Sequence, residues 1–360
     1  MYYFSYYRDG VIETHKIYYE SGGVESSTEY YPDGVISLQI IYREDRTIKS
    51  EIYYHIDGSM VRHVTYYEDG TLESETQYYS DGTIEWQNLF YENGKIKLKV
   101  QYYPDGIINW QISYFENGVK TFEVAYYPNG SLKFRESYDQ NGKQIHYITH
   151  YSDGSIREQN TYHNNGILES ETSYYSDGMI EAQNLFYESG YIMSVLEYYP
   201  DGSLKLQALY DENEKQNYYI SHYSDGSIRE QNTYYMSGAL ESETAYYSDG
   251  MIESQNIFYE SGYMMFEVEY YPDGMKSFEA THYDYGYRNY YTYYYSDGII
   301  ERHATFYENG KIMSNTSYYP DGNIKMQILY DMDGQEMCSI YYSPDGIEAD
   351  RSYYNDYTEC

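Results

Sequence analysis

Residues 150–161 read His-Tyr-Ser-Asp-Gly-Ser-Ile-Arg-Glu-Gln-Asn-Thr, and residues 222–233 repeat the same twelve residues in the same order. The spacing between the copies is six units of twelve, and the twelve-residue phase extends in both directions through all 360 residues without a slip. Twenty-seven of the 28 glycines fall on it, from Gly10 to Gly346; Gly23 alone is out of phase. The glycine slot is replaced only at Arg46, Glu214 and Thr358, and all seven prolines lie two residues before it. A fixed short period of this kind is the signature of a repeat architecture. The chain therefore reads as one continuous array, residues 1–360, of thirty units Tyr-Tyr-x-Asp-Gly-x-Ile-x-x-x-x-x, with no linker and no separate domain.

The x-Asp-Gly segment predicts a turn. Proline suits its first loop position because its φ is already near −65°. Glycine then closes a type I turn in the left-handed conformation, the common three-residue hairpin loop with a G1 bulge. Gly34, Gly82, Gly178, Gly250 and Gly322 are representative turn glycines. Numbering the residue after each glycine as position 1, positions 1–9 are expected to be strand, with position p facing 10 − p on both neighbours. That register keeps even positions on one face throughout. The even face would carry an aromatic or His side chain at position 8 and rings at position 4, which makes Tyr30, Trp86, Trp110, Phe122, Tyr174 and Tyr246 a candidate interaction face. The odd face would be acidic and polar.

Two architectures fit a twelve-residue period. One is an elongated, twisted antiparallel meander, all-β, built of tandem hairpins; the other is a two-sided β-solenoid. One turn signal per unit favours the meander, because a closed coil needs two reversals. Thirty strands at ~4.8 Å would make a sheet on the order of 140 Å long.

Composition narrows the function. Lys and Arg total 23 against 58 Asp and Glu, a net charge of −35, so nucleic acid and anionic membranes are disfavoured as partners. No apolar run approaches the ~20 residues of a membrane span, so no membrane insertion is expected. No signal peptide is visible at the start, which favours the cytoplasm. Sixty tyrosines argue against disorder. Cys338 and Cys360 are too few for a disulfide framework.

Chemistry is sought and not found. The pair Glu169/Glu171 recurs as Glu241/Glu243 and Glu73/Glu75, as a solvated face does and an active site does not. His150, His222 and His282 stand in the position-8 aromatic slot and read as tyrosine substitutes rather than metal ligands. Residues 331–334 mimic the start of a calcium loop, but Tyr342 stands where its twelfth-position Glu is required. Asn129 and Asn315 head glycosylation sequons, relevant only in a secreted protein. The expectation is no enzyme activity, no cofactor and no metal.

Units such as Tyr91-Glu92-Asn93-Gly94-Lys95-Ile96 and Tyr307-Glu308-Asn309-Gly310-Lys311-Ile312 resemble the MORN-repeat variant found in the YwqK-type antitoxin family. The resemblance implies β-hairpin repeats and a non-enzymatic binding role. The chain departs from standard MORN repeats in lacking their Gly-x-Gly. Units at Tyr138 and Tyr330 also resemble the YD repeats of secreted shell proteins. The expected function is a scaffold for protein–protein interaction or fibre-like self-assembly. Alternatives are an antitoxin-like or immunity-like protein binding a basic partner, and a surface adhesin binding carbohydrate.

The turn reading carries its own test. Gly82→Val should cost about 1–3 kcal/mol locally, through strain at a left-handed position; hydrogen exchange of the amides around residue 82 measures it.

Overall fold

The computed structural model describes residues 1–354, and no helix occurs among them. The chain divides into two compact units, Met1–Met179 and the part from Ile180 onward. The first holds fifteen strands, from β1 (Tyr2–Tyr6) to β15 (Leu168–Tyr174). The second holds β16 (Ile180–Phe186) to β30 (Glu348–Tyr353). Within each unit every strand pairs antiparallel with the strands before and after it in sequence, as β9 (Ile96–Tyr102), β10 (Ile108–Tyr114) and β11 (Lys120–Tyr126) do. The fold is thus a meander of tandem hairpins, and the solenoid is excluded.

Local chemistry makes each reversal. Between β7 (Leu72–Tyr78) and β8 (Ile84–Phe90), the Gly82 amide donates to the Tyr79 carbonyl at 3.0 Å and the Tyr79 amide to the Thr83 carbonyl at 2.8 Å. Gly82 has φ 86°, and a Cβ there would meet nothing within 4 Å, so a side chain at this position suffers backbone strain and no clash. The Asp81 carboxylate accepts from the Thr83 amide at 2.9 Å and from its hydroxyl. Those bonds hold the Asp81 carboxyl below its ordinary value. A depressed carboxyl stabilises the fold above its unfolded value and loses that contribution as pH falls through the folded one. Arg46 and Glu214, which replace glycine, also take positive φ, 74° and 63°.

The strands are shorter than expected and their register differs from the expected one. Most run from position 2 to position 8, seven residues. Next to the turn, position 8 faces position 2 as expected, for example Tyr114 against Lys120. Then the register shifts: Ser113 faces Phe122, Ile112 faces Glu123 and Trp110 faces Ala125. Position 3 of each strand is an extra residue, a bulge, and beyond it position p faces 11 − p. The same shift recurs from hairpin to hairpin in both units.

One residue of slip sends every side chain to the other face. Positions 4, 6 and 8 of one strand therefore share a face with positions 2, 5 and 7 of the next. No continuous aromatic face exists among the described residues of either unit, which corrects the sequence reading. In the first unit Tyr30, Phe122 and Tyr174 lie on one face, and Trp86 and Trp110 on the other.

The best-buried position is 6, where Val64, Val100, Val124, Ala208, Val268, Ala280 and Ala304 are all less than 9% exposed. Position 6 faces position 5 on both neighbours and is flanked by positions 4 and 8 of its own strand. Long polar and aromatic side chains from those four places fold over it, so a small residue suffices to fill the centre.

A second bonding system runs along the two edges. In most turns position 9 is a tyrosine whose hydroxyl reaches over one strand to the position-8 carbonyl two strands on. Tyr7 donates to Tyr30 at 2.7 Å, Tyr91 to Tyr114 at 2.7 Å, Tyr187 to Tyr210 at 2.9 Å and Tyr307 to Tyr330 at 2.8 Å. Arg43, in the same slot, donates instead to the carbonyl of Tyr66. The bulged position-3 side chain lies over that tyrosine: Lys97 Nζ is 5.6 Å from the Tyr91 ring centre and Arg157 Cζ is 6.0 Å from that of Tyr151. Where Asn replaces Asp in the turn, its amide adds a bond to the next turn on that edge, as Asn129 does to Ser152 at 2.8 Å.

Tyr91→Phe keeps the ring under Lys97 and removes only the bond to Tyr114. It should cost about 0.5–1.5 kcal/mol, read as faster hydrogen exchange of the amides in the turn from Phe115 to Gly118 with the rest of the first unit unchanged.

Candidate functional site

The shifted register places rings beside carboxylates on both faces. Position 5, often Glu or Gln, lies next to the position-8 tyrosine of the following strand. Tyr66 donates to Glu51 at 3.1 Å and Tyr294 to Glu279 at 2.7 Å. Burial, then the Glu51 charge, pushes the Tyr66 phenol up to about 12. Burial and the bond to Glu279 raise Tyr294 likewise.

The chain's own cations show what such a surface does with positive charge. Arg288, at position 2 of β25 (Arg288–Tyr294), places its Cζ 5.5 Å from the Tyr291 ring centre and 5.9 Å from that of Phe278. Its Nη2 donates to Glu267 at 3.0 Å, and its Nε to His282 at 3.4 Å. Burial holds the His282 imidazole below its ordinary value, and Glu267 partly opposes this. In the first unit Lys120 lies 4.6 Å over Tyr138 and donates to Glu123 at 2.9 Å and to Glu136. Burial pulls the Lys120 ammonium down, but its hydrogen bonds, led by that to Glu136, outweigh this and hold it above its ordinary value. Ring face and carboxylate together hold the cation.

Two clefts in the second unit have the same mixed walls. One, of about 600 Å³, opens where Tyr283 leaves the edge ladder and stacks on Tyr285, with centroids 5.3 Å apart; Tyr290, His303, Phe306 and Glu308 line it. His303 shares a 2.9 Å hydrogen bond with Thr292, and burial lowers its pKa. The other, of about 470 Å³, lies among Tyr210, Tyr219, Tyr234, Glu197 and Glu230.

The residues singled out from sequence are distributed, not assembled. Tyr30, Trp86, Trp110, Phe122, Tyr174 and Tyr246 are each half-buried, and they do not form one surface. Gly34, Gly82, Gly178, Gly250 and Gly322 all lie in turns, with φ of 86–89°. Asp331 caps its own turn, accepting from the amides of Asp333 and Gln335 at 2.9 and 2.8 Å. No cluster of three or more metal-ligating side chains occurs among the described residues. The sequence reading missed Arg288, Lys120 and the position-9 tyrosines. A signal existed: Thr65/Ser74, Thr161/Ser170, Thr233/Ser242 and Thr305/Ser314 are each nine residues apart and hydrogen-bonded at 2.7–2.8 Å. Those pairs are position 7 against position 4, and they mark the shifted register.

Five segments, residues 62–81, 87–103, 123–140, 193–212 and 314–332, match the family model described as MORN repeat variant. The chain carries MORN-variant repeats. Nothing in the match selects the YwqK-type antitoxins among proteins with this repeat. A search of curated proteins finds no match. Among solved structures, the MORN-variant chain is similar to TcdB2-TccC3 at 12% identity and TM-score 0.15, over 98% of this chain and 25% of that one. It is similar to the TCP10 domain of Danio rerio CPAP in complex with a peptide of Danio rerio STIL, at 16% identity and TM-score 0.26, over 65% and 99%. A porin-like protein from Bacteroides uniformis follows at 11% identity and TM-score 0.15, over 66% and 91%. The chain spans about a quarter of the TcdB2-TccC3 chain, and scores this low define no shared fold. The MORN-variant array is a repeat scaffold, and no helix among the described residues is long and apolar enough to cross a membrane.

The Arg288 site is testable within the scaffold. A double-mutant cycle between Arg288→Met and Glu267→Gln should give a coupling of about 0.5–1 kcal/mol, modest because both side chains are partly exposed; urea unfolding at low and high salt reads it, with the coupling shrinking in salt.

Proposed function

We propose that this MORN-variant array is a non-catalytic scaffold, continuous over residues 1–360, that binds a basic protein partner. The observation that supports the reading is the Arg288 site, where ring faces and a carboxylate hold a guanidinium on the sheet surface. The register that builds it places rings beside carboxylates along both faces. With a net charge of −35, most of those carboxylates have no lysine or arginine of this chain to pair with. The field of such a surface steers cations toward it and speeds their association. Self-assembly is the weaker reading, because two copies of a −35 chain repel one another.

The reading predicts saturable binding of basic proteins, such as a histone tail peptide, that weakens at least tenfold between 50 and 300 mM salt, while acidic peptides of equal length do not bind. Sedimentation should show a monomer at low salt. Binding of acidic and basic peptides alike, or reversible polymerisation without a partner, would sink it.

A further inference from the structure

We propose that the cleft bounded by Tyr210, Tyr219, Tyr234, Glu230 and Asn232 receives an arginine side chain of the partner protein. This deepens the scaffold reading above and rests on it. The cleft, of about 470 Å³, spans β17 (Ile192–Tyr198) to β20 (Ile228–Tyr234), and its walls alternate between strands as the shifted register requires.

The cleft is a register copy of the Arg288 site, 72 residues earlier. Tyr219 stands where Tyr291 does, Leu206 where Phe278 does, Tyr210 where His282 does, and Val195 where Glu267 does, so the carboxylate of the copy comes from Glu230 on β20 instead. Gln216 stands in the place of Arg288, so the copy has an aromatic wall and no guanidinium of its own. A further copy, another 72 residues earlier, contains Tyr138, Tyr147 and Tyr162, and there Lys120 supplies the cation over the Tyr138 ring at 4.6 Å. In the cleft Ile192 replaces that lysine. Two of three copies thus contain an internal cation; the third has the rings and an open space.

The polar groups of the cleft ask for a donor. Glu230 accepts from Asn232 Nδ2 at 2.9 Å and forms no ion pair among the described residues. The other carboxylate of the wall, Glu197, is already paired with Lys205 at 2.9 Å. Asn232 is 9% exposed, and its Oδ1 is a buried acceptor with no hydrogen-bond partner. An unpaired carboxylate beside an orphaned amide oxygen, in a cleft lined by tyrosines, matches the flat guanidinium with its five N–H donors better than a lysine ammonium.

The test uses the full chain and the peptide Ac-Gly-Arg-Gly-NH2, with its citrulline counterpart as the neutral isostere and its lysine counterpart as the alternative cation. Binding is followed by the NMR shifts of the Asn232 side-chain amide. The arginine peptide should saturate those shifts, the lysine peptide should bind at least threefold more weakly, and the citrulline peptide should leave them unmoved. Glu230→Gln should weaken arginine binding about tenfold. Gln216→Arg should abolish it, by filling the cleft from within as Arg288 fills its own site. Gln207→Arg adds the same charge to the opposite face and should change affinity less than twofold. Equal binding of arginine and citrulline peptides, or equal loss from Gln216→Arg and Gln207→Arg, would overturn the assignment. If Gln216→Arg leaves salt-sensitive binding of basic proteins intact, the cleft assignment alone falls; if the wild-type chain binds no basic protein, the scaffold reading falls with it.

Discussion

One extra residue per strand governs this molecule. The bulge at position 3 turns a pairing that would keep each residue type on its own face into one that exchanges faces at every strand. With the simple register, half the sheet surface would be a continuous aromatic face and the other half a continuous acidic one. The first would need covering, since soluble proteins rarely expose apolar patches beyond a few hundred Å². The second would stack carboxylates strand after strand. The bulge removes both problems by interleaving the two classes. Rings gain polar neighbours and carboxylates gain a hydroxyl or an amide beside them, as in Tyr66 with Glu51, Tyr294 with Glu279 and Asn232 with Glu230.

Within each unit the strands pair only with their neighbours in sequence, and the sheet fills its own centre. In many strands the centre is a small residue, such as Val268 or Ala280, buried between the side chains of both adjacent strands. The edges are held by tyrosine hydroxyls, each tying one turn to the strand end two units further on. These bonds join next-nearest neighbours, so a repeat that carries the tyrosine is fixed to two units ahead and not merely to the adjacent one. Repeat arrays gain stability from such neighbour terms more than from any single repeat.

The same interleaving gives the surface its chemistry. A ring face beside a carboxylate is a cation site, and Arg288 and Lys120 occupy two of them. The chain is too poor in Lys and Arg to occupy the rest. Duplication in whole units then varies the theme: one slot contains Lys120 or Ile192 and another Gln216 or Arg288, and the space around each changes with the residue.

The amino-acid sequence by itself determined the period, the turn, the strand order and the antiparallel sense. Those follow from short-range chemistry: a left-handed glycine, an aspartate that caps the next amide, and seven residues between turns. It also determined that the array is acidic and rich in rings. It did not reveal which face those rings occupy. That depends on a single extra residue opposite a neighbouring strand, and position 3 has no dedicated residue type to announce it; only the nine-residue Thr/Ser pairs mark it, weakly. The tertiary structure decided the register, because backbone pairing across strands and the reach of the edge tyrosines act together on residues 23 apart. It decided the cation sites for the same reason. Glu267, Phe278, Arg288 and Tyr291 come from three strands, and no local pattern in the sequence places a guanidinium among them.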